Sequence, residues 1–589
     1  MFHELLSPNA AAHLAASCTS AFRFCQPIQP VFDNLFLSFL IGLIPIAVVL
    51  VLLGVVRRPA WQAALAGLIV ALIFAVFIWG MPVDMAASST LSGFAFAILP
   101  VMWIVFNAMW LYNITVRTGK FDLFRRWMIH NAPPDKRILM LIVAFSFGAL
   151  LEGIAGFGTP VAIASALLIG LGFPVLDAVV LTLIFNTSPV AFGALGAPIA
   201  ALNGVTGLPA ATLGAQIGRQ LPIMAFILPF YALVVFSGAR GLRSAWPAAL
   251  VAGGSFALTQ FFVSNFIGPE LPDVLASLVS LICLIVFVQF WKPRDIEQYR
   301  AQFGGERMGT TNAGAIGERG VPTPVPTPVA ASAGRDDGRP TSGQSLLAWL
   351  PWVIVSAVVI VWIFAKVPAV GQQKIAWPDL DKLVFRTAYG DAYADTYLFQ
   401  PLGTGTAILT SVLITWLALG AKPRVLIGAL VDSWRQLYLA ILTVVLIVGV
   451  SFLYNYSGMV YTLGLAVASV GKVFPFFAVF IGWIACFLSG SDTSSNALFG
   501  NLQVVAAKQL HLSPVLMAAT NSSGAVTSKM ISPQNVTTGV STTSLKGKEG
   551  LVIRRTFVHS LILASFLGII VMLQQYAFPQ LIATGLIGR

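Results

Sequence analysis

Three ionisable side chains stand in surroundings that leave them little water. Glu152 lies in LEGIAGFGTP (151–160), Asp492 in LSGSDTSSNALF (488–499) and Lys529 in NSSGAVTSKMISP (521–533). An ionisable group inside a bilayer costs about 2.5 kcal/mol or more, so it marks a functional site unless a neighbour satisfies it. Glu152 and Asp492 are by type the carriers of a coupling proton. Lys529 is the side chain to meet a substrate carboxylate, or to neutralise Glu152 when the site is empty. Each has a plainer alternative. Glu152 could bond a neighbour's backbone within close small-residue packing, Asp492 could cap the helix that follows it, and Lys529 could snorkel to an interface.

Glycine and proline around the acids point to broken helices. Gly153, Gly156 and Gly158 permit unusual backbone angles beside Glu152, and Pro160 suits the first turn of a fresh helix. Backbone groups freed by such a break survive in hydrocarbon only where protein or an aqueous cavity satisfies them. Bare N–H groups and the positive end of a helix dipole then suit a small anion. The substrate side of the site is therefore assigned to Lys529, to the polar side chains of Asn186, Ser188, Asn521 and Ser522, and to Gly156, Gly158 and Ser494 at the breaks. Glu152 and Asp492 take the proton. Arg219, in GRQLPIM, reads as an interfacial anchor, and Asp177 as first-turn helix charge.

These residues need elements that bring them together. NTSPVAFGALGAP (186–198) and NSSGAVTSKMISP (521–533) both start Asn-(Thr/Ser)-Ser and reach Pro twelve positions later. Each follows an acid at a break, 34 residues upstream in one case (152 to 186) and 29 in the other (492 to 521). The first acid's segment starts from a basic loop and the second's from a weakly charged one, so the two units run in opposite senses. That is an inverted repeat, the usual build of secondary transporters. The expected fold is an all-α polytopic membrane protein of about 14 transmembrane helices (12–16), in two inverted repeats with broken helices or hairpins at mid-membrane. Non-helical backbone is expected within 152–160 and 489–494. The divisions are an N-terminal extension at 1–33, a first repeat at 34–240, connecting spans at 246–291, a disordered cytoplasmic linker at 292–345 and a second repeat at 346–589.

Composition agrees with that setting. Of 589 residues, 57% are hydrophobic and 10% charged, against roughly 25% charged in soluble domains. Apolar runs near the ~20 residues needed to cross a bilayer recur, among them 34–56, 138–151, 221–238, 246–266, 273–291 and 473–489. The net charge of +12 comes largely from loops at Arg57–Arg58, 117–137, 240–243, 292–345, 422–435 and 546–555. Alternate loops carry Asp84, Glu270, Asp273, Asp379, Asp381, Asp391 and Asp395. The basic loops are then cytoplasmic and both termini extracytoplasmic, so the charge orients the protein and names no nucleic-acid partner. Segment 367–402 reads as a polar extracytoplasmic loop. Absence of G-x-x-x-x-G-K-[ST] argues against an ATP-driven pump. A Cys18–Cys25 disulfide is open to an extracytoplasmic N-terminus, while Cys283 and Cys486 read as small apolar packers. The five histidines avoid span centres, which argues against a histidine proton relay.

LLEGIAGFGTPVAI, NTSPVAFGALGAPI, GRQLPIM, VAGGSFALTQ with SNFIGPELPD, LSGSDTSSNALF and KMISPQ resemble the lactate permease family of bacterial inner-membrane carriers, in order over residues 150 to 534. The resemblance implies uptake of L-lactate, D-lactate and glycolate by proton symport, with a small carboxylate and the lipid bilayer as partners. It implies no enzyme activity, cofactor or metal, the coupling ion being a proton. The Pro-rich stretch 321–329 departs from the family, and the family supplies no site residues to carry over. Nothing in the sequence speaks to oligomeric state. Two other readings stay open: a sodium-coupled organic-anion transporter, and an intramembrane enzyme using Glu152 or Asp492 as acid or base.

Overall fold

The computed structural model describes residues 22–54, 56, 58–154, 156, 159–301, 340–393, 396–541 and 543–587. Cys18, Gly158 and positions 302–339 of the expected linker lie outside them. Apolar runs become helices here because backbone in hydrocarbon has to satisfy its own N–H and C=O groups. Ten helices among the described residues are long and apolar enough to cross a membrane, or eleven if the bent pair Val175–Phe185 and Val190–Thr206 forms one span. Large side chains such as Phe77, Leu258 and Phe290 remain exposed on the outer helices, as lipid-facing positions do.

The expected count of about 14 spans (12–16 with hairpins) stands against these ten or eleven candidate helices, one of which turns back on itself while others form hairpins. Runs 221–238 and 246–266 are two helices that meet at a kink at Gly238, φ +66°, within Leu221–Phe266, and Arg219 beside Asn265 brings both ends of the stretch to one side. Runs 138–151 and 473–489 are arms of hairpins. In the first hairpin, Lys136–Ile154 leads to a break and Thr159–Gly170 returns. A Cβ on Gly148 would stand 4.0 Å from that of Ala164, and the Lys136 ammonium lies 5.9 Å from the Phe173 ring centre. In the second, Phe474–Ser489 and Asp492–Gln509 are tied by Ser495 Oγ to the Gly482 carbonyl and by Gln503 Nε2 to that of Ala478. Each hairpin faces a broken helix: Val175–Phe185 with Val190–Thr206, bent by 63°, and Pro514–Ser528 with Pro533–Val540.

Side-chain contacts sort the loops into two ends. At the basic end Arg117 pairs with Asp432 at 2.6 Å, and Arg137 binds Asp135 and Asp295. At the other end Arg23 pairs with Asp84 and Asp379, Thr404 donates to Glu270, and Arg219 binds Asn265 and the Leu581 carbonyl. The described residues nearest both termini thus share the acidic end, as the positive-inside argument requires. The first hairpin has its base at the basic end, where Arg137 follows Lys136. The second has its base at the acidic end, where Tyr576 donates to the Lys472 carbonyl. Their opposite senses make the repeat inverted.

Segment 367–402 is more ordered than a polar loop. β1 (Phe24–Cys25) pairs in parallel with β3 (Val384–Arg386), which pairs antiparallel with β4 (Asp391–Ala392). β2 (Gln373–Ala376) pairs antiparallel with β5 (Thr396–Phe399). The described part of the extension, 22–33, is likewise tied down, since Gln26 donates to the carbonyls of Asn455 and Tyr456. Cys25 is disulfide-bonded, whereas Cys283 and Cys486 are free.

Candidate functional site

The two hairpin tips and the two helix breaks meet inside the bundle. On the first side the helix runs to Ile154, Gly156 takes φ +57°, and helix resumes at Thr159. Opposite it Val175–Phe185 ends at Asn186, and Ala194, Leu195 and Gly196 take φ of 43°, 54° and 82°. A left-handed residue other than glycine costs about 1–2 kcal/mol, so packing has to hold this turn. A Cβ on Gly196 would come 2.8 Å from the Pro269 carbonyl, and one on Gly193 would come 3.2 Å from Glu152 Oε1. The turn therefore presents bare backbone to the carboxylate. On the second side Gly490, at φ +71°, and Ser491 separate the helices, so the break is narrower than 489–494.

The charged residues join the two repeats. Lys529 Nζ reaches Glu152 Oε1 at 2.5 Å, and Asn186 Nδ2 donates to Glu152 Oε2 at 2.9 Å. Asp492 Oδ2 accepts from Ser522 Oγ at 2.6 Å. In each repeat, then, an acid at a hairpin tip takes a hydrogen bond from a polar residue of its broken helix. Glu152, Asp492 and Lys529 are 2%, 3% and 5% exposed. Lys529 does not snorkel. Nor does Asp492 cap its helix, because Ser491 Oγ takes the cap bond from Ser494 N. A cavity of about 40 Å³ lies between them, lined by Glu152, Lys529, Asp492, Gly156, Thr493 and Gln534 among others. That is room for about three waters. Asn186 Oδ1, Asp492 Oδ1 and Ser532 Oγ are buried without a hydrogen-bond partner, and such groups call for an explanation in a ligand, water or proton.

Several expected substrate contacts turn elsewhere. Asn521 Nδ2 donates to the Ser495 carbonyl and Asn496 Oδ1, so it locks the second hairpin to its broken helix. It sits inside Pro514–Ser528, eight positions before the 3-10 turn that opens at Lys529, whereas Asn186 stands at its break. The aligned prolines do correspond, since Pro198 and Pro533 both open the second half-helix of their unit. Ser188 Oγ closes on the Phe185 carbonyl, and Ser494 contributes its N–H to the cap. Ser491 and Thr493 line the cavity in its place. Arg219 anchors the acidic end, away from the cavity.

Asp273 is the main residue that sequence reasoning misplaces. It counts as a loop acid there, since it opens the apolar run 273–291. In the structure it is 0% exposed, on the first turn of Pro272–Phe290, and packs against the first hairpin tip. A Cβ on Gly153 would come 3.0 Å from that of Asp273. The signal available was the pairing of Pro272 with an acid directly before an unbroken apolar run.

Hairpin tips and broken helices of opposite sense, closing on one ion-paired cavity, define a secondary carrier. The chain belongs to the L-lactate permease family, whose model matches residues 38–578. It is 41% identical to the glycolate permease GlcA of Escherichia coli K12, covering 93% of this chain and 97% of that one. It is 42% identical to the L-lactate permease of Salmonella typhimurium LT2, covering 93% and 98%. Identity to the L-lactate permease of Bacillus subtilis 168 is 40%, over 95% and 100%. The protein is accordingly a multi-pass membrane transporter and not an enzyme.

Proposed function

We propose that this chain takes up lactate and related 2-hydroxy monocarboxylates such as glycolate by proton symport across a bacterial inner membrane. The observation that carries the reading is the buried Lys529–Glu152 pair bridging the two repeats at the cavity. Lactate brings one negative charge, and burying it unpaired is prohibitive. Its carboxylate competes with Glu152 for Lys529, assisted by Asn186, Ser491, Thr493 and the bare backbone at Gly156. Glu152, deprived of its cation, takes a proton. The loaded site then has the same charge as the empty one, so either form reorients at similar electrostatic cost. Substrate and proton assist each other's binding equally, by linkage. The small cavity requires the two repeats to part before lactate enters.

The test is uptake of labelled lactate and glycolate into membrane vesicles under an imposed pH or sodium gradient. A pH gradient should drive accumulation and a sodium gradient should not; the reverse result would establish the sodium-coupled alternative. Glu152→Gln, a permanent mimic of the neutral acid, should still bind and exchange lactate but lose accumulation driven by the pH gradient. If it accumulates lactate like the parent, the coupling acid lies elsewhere, with Asp492 the first candidate.

A further inference from the structure

Three carboxyl groups crowd one lysine at this site, and the mechanism above uses only one of them to couple. Glu152 pairs with Lys529. Asp492 takes the Ser522 bond. The third, Asp273, accepts one hydrogen bond, from Gln260 Nε2 at 3.1 Å, while its Oδ2 is buried with no partner. The same Gln260 nitrogen donates to the Ser188 carbonyl at 3.2 Å, two residues beyond the Asn186 that holds Glu152. A side-chain and backbone network therefore connects Glu152, Asn186, Ser188, Gln260 and Asp273. The charged groups facing Asp273 are Glu152 and Lys529, across the hairpin tip at Gly153.

Charge and position together define a role. One lysine neutralises one carboxylate, and further buried carboxylates are too costly to remain ionised. The neutral form of Asp273 is then the cheaper one to bury beside Glu152. It also lies towards the acidic, extracytoplasmic end. Glu270, three residues earlier and half-buried, accepts from Thr404 at that end, and Asn265 on the preceding helix binds Arg219 there.

We infer that Asp273 is the proton donor to Glu152, loaded from the extracytoplasmic side by way of Glu270. When substrate draws Lys529 away, the Asp273 carboxyl gives its proton to the Glu152 carboxylate. Asp273 becomes the carboxylate and Glu152 the acid. A proton from the external solution, passed on by Glu270, then restores Asp273, and Glu152 gives its own proton to the cytoplasmic side when substrate leaves and Lys529 returns, so one proton enters per substrate. Gln260 steadies the Asp273 carboxylate while it is ionised, since its amide donates to Oδ1. The inference rests on the proton-symport reading.

The test compares parent, Asp273→Asn and Asp273→Glu protein in proteoliposomes, measuring equilibrium binding of labelled lactate and uptake driven by a pH gradient. Asp273→Asn should keep the binding constant within about twofold, because a proton donor sets a rate, and slow gradient-driven uptake by about 10²-fold, the lower end of what a positioned proton-transfer group contributes. Asp273→Glu should restore part of the driven rate. Equal driven uptake by Asp273→Asn and parent overturns the inference and leaves symport standing. So does loss of both binding and driven uptake in Asp273→Asn without recovery in Asp273→Glu, which makes Asp273 a packing residue. A parent that ignores the pH gradient overturns the symport reading itself.

Discussion

Lys529→Gln removes the one cation seen on Glu152 among the described residues. Breaking a buried pair by deleting one partner costs about 3–5 kcal/mol, because it strands the other charge. Asn186 still donates to Glu152 Oε2, so the lower part of that range applies. The variant should therefore lose about 3 kcal/mol of stability. Thermal unfolding of purified protein in detergent measures it, with Glu152→Gln/Lys529→Gln as the control that removes both charges. The double variant should recover most of the loss. Lactate affinity should fall about 30-fold or more in Lys529→Gln, from the 2 kcal/mol lower bound for truncating one partner of a buried charge pair. A single variant as stable as the parent, or one that binds lactate like the parent, refutes the reasoning.

Two further perturbations test the scaffold. The Arg137 guanidinium holds the Asp295 carboxyl below the usual carboxylate range, so Asp295→Asn should destabilise the chain at pH 7. The difference from the parent should fade as pH drops through the lowered Asp295 value, below about 4, and limited proteolysis near residue 301 reads the same release. At Gly524 a Cβ would stand 2.2 Å from the Val479 carbonyl, so Gly524→Ala should cost about 1–3 kcal/mol or more by overpacking and reduce the monodisperse fraction in size-exclusion chromatography.

Membrane character and the two polar breaks were legible in the chain because hydrocarbon imposes one rule on every residue. Apolar runs must be helical, basic loops stay inside, and an acid beside glycine and proline needs a reason. Glu152, Asp492 and Lys529 were found on those grounds. Lys529 was also expected to neutralise Glu152, but the bonds of Asn186 and Ser522 to the two acids, and the fate of Asn521 and Ser188, were not legible. An asparagine at a helix break and one eight residues before a break have the same letters around them, and only packing decides which faces the cavity. Asp273 shows the limit most plainly. By sequence it is the last polar residue before a span, which describes a loop acid. Its burial follows from Pro269 closing over Gly196 and from Gly153 leaving room against its side chain. Both are contacts between segments more than 70 positions apart. Local pattern records which groups are costly to bury, while the pairing that makes burial tolerable belongs to the tertiary fold, because charge compensation depends on distance in space and not along the chain.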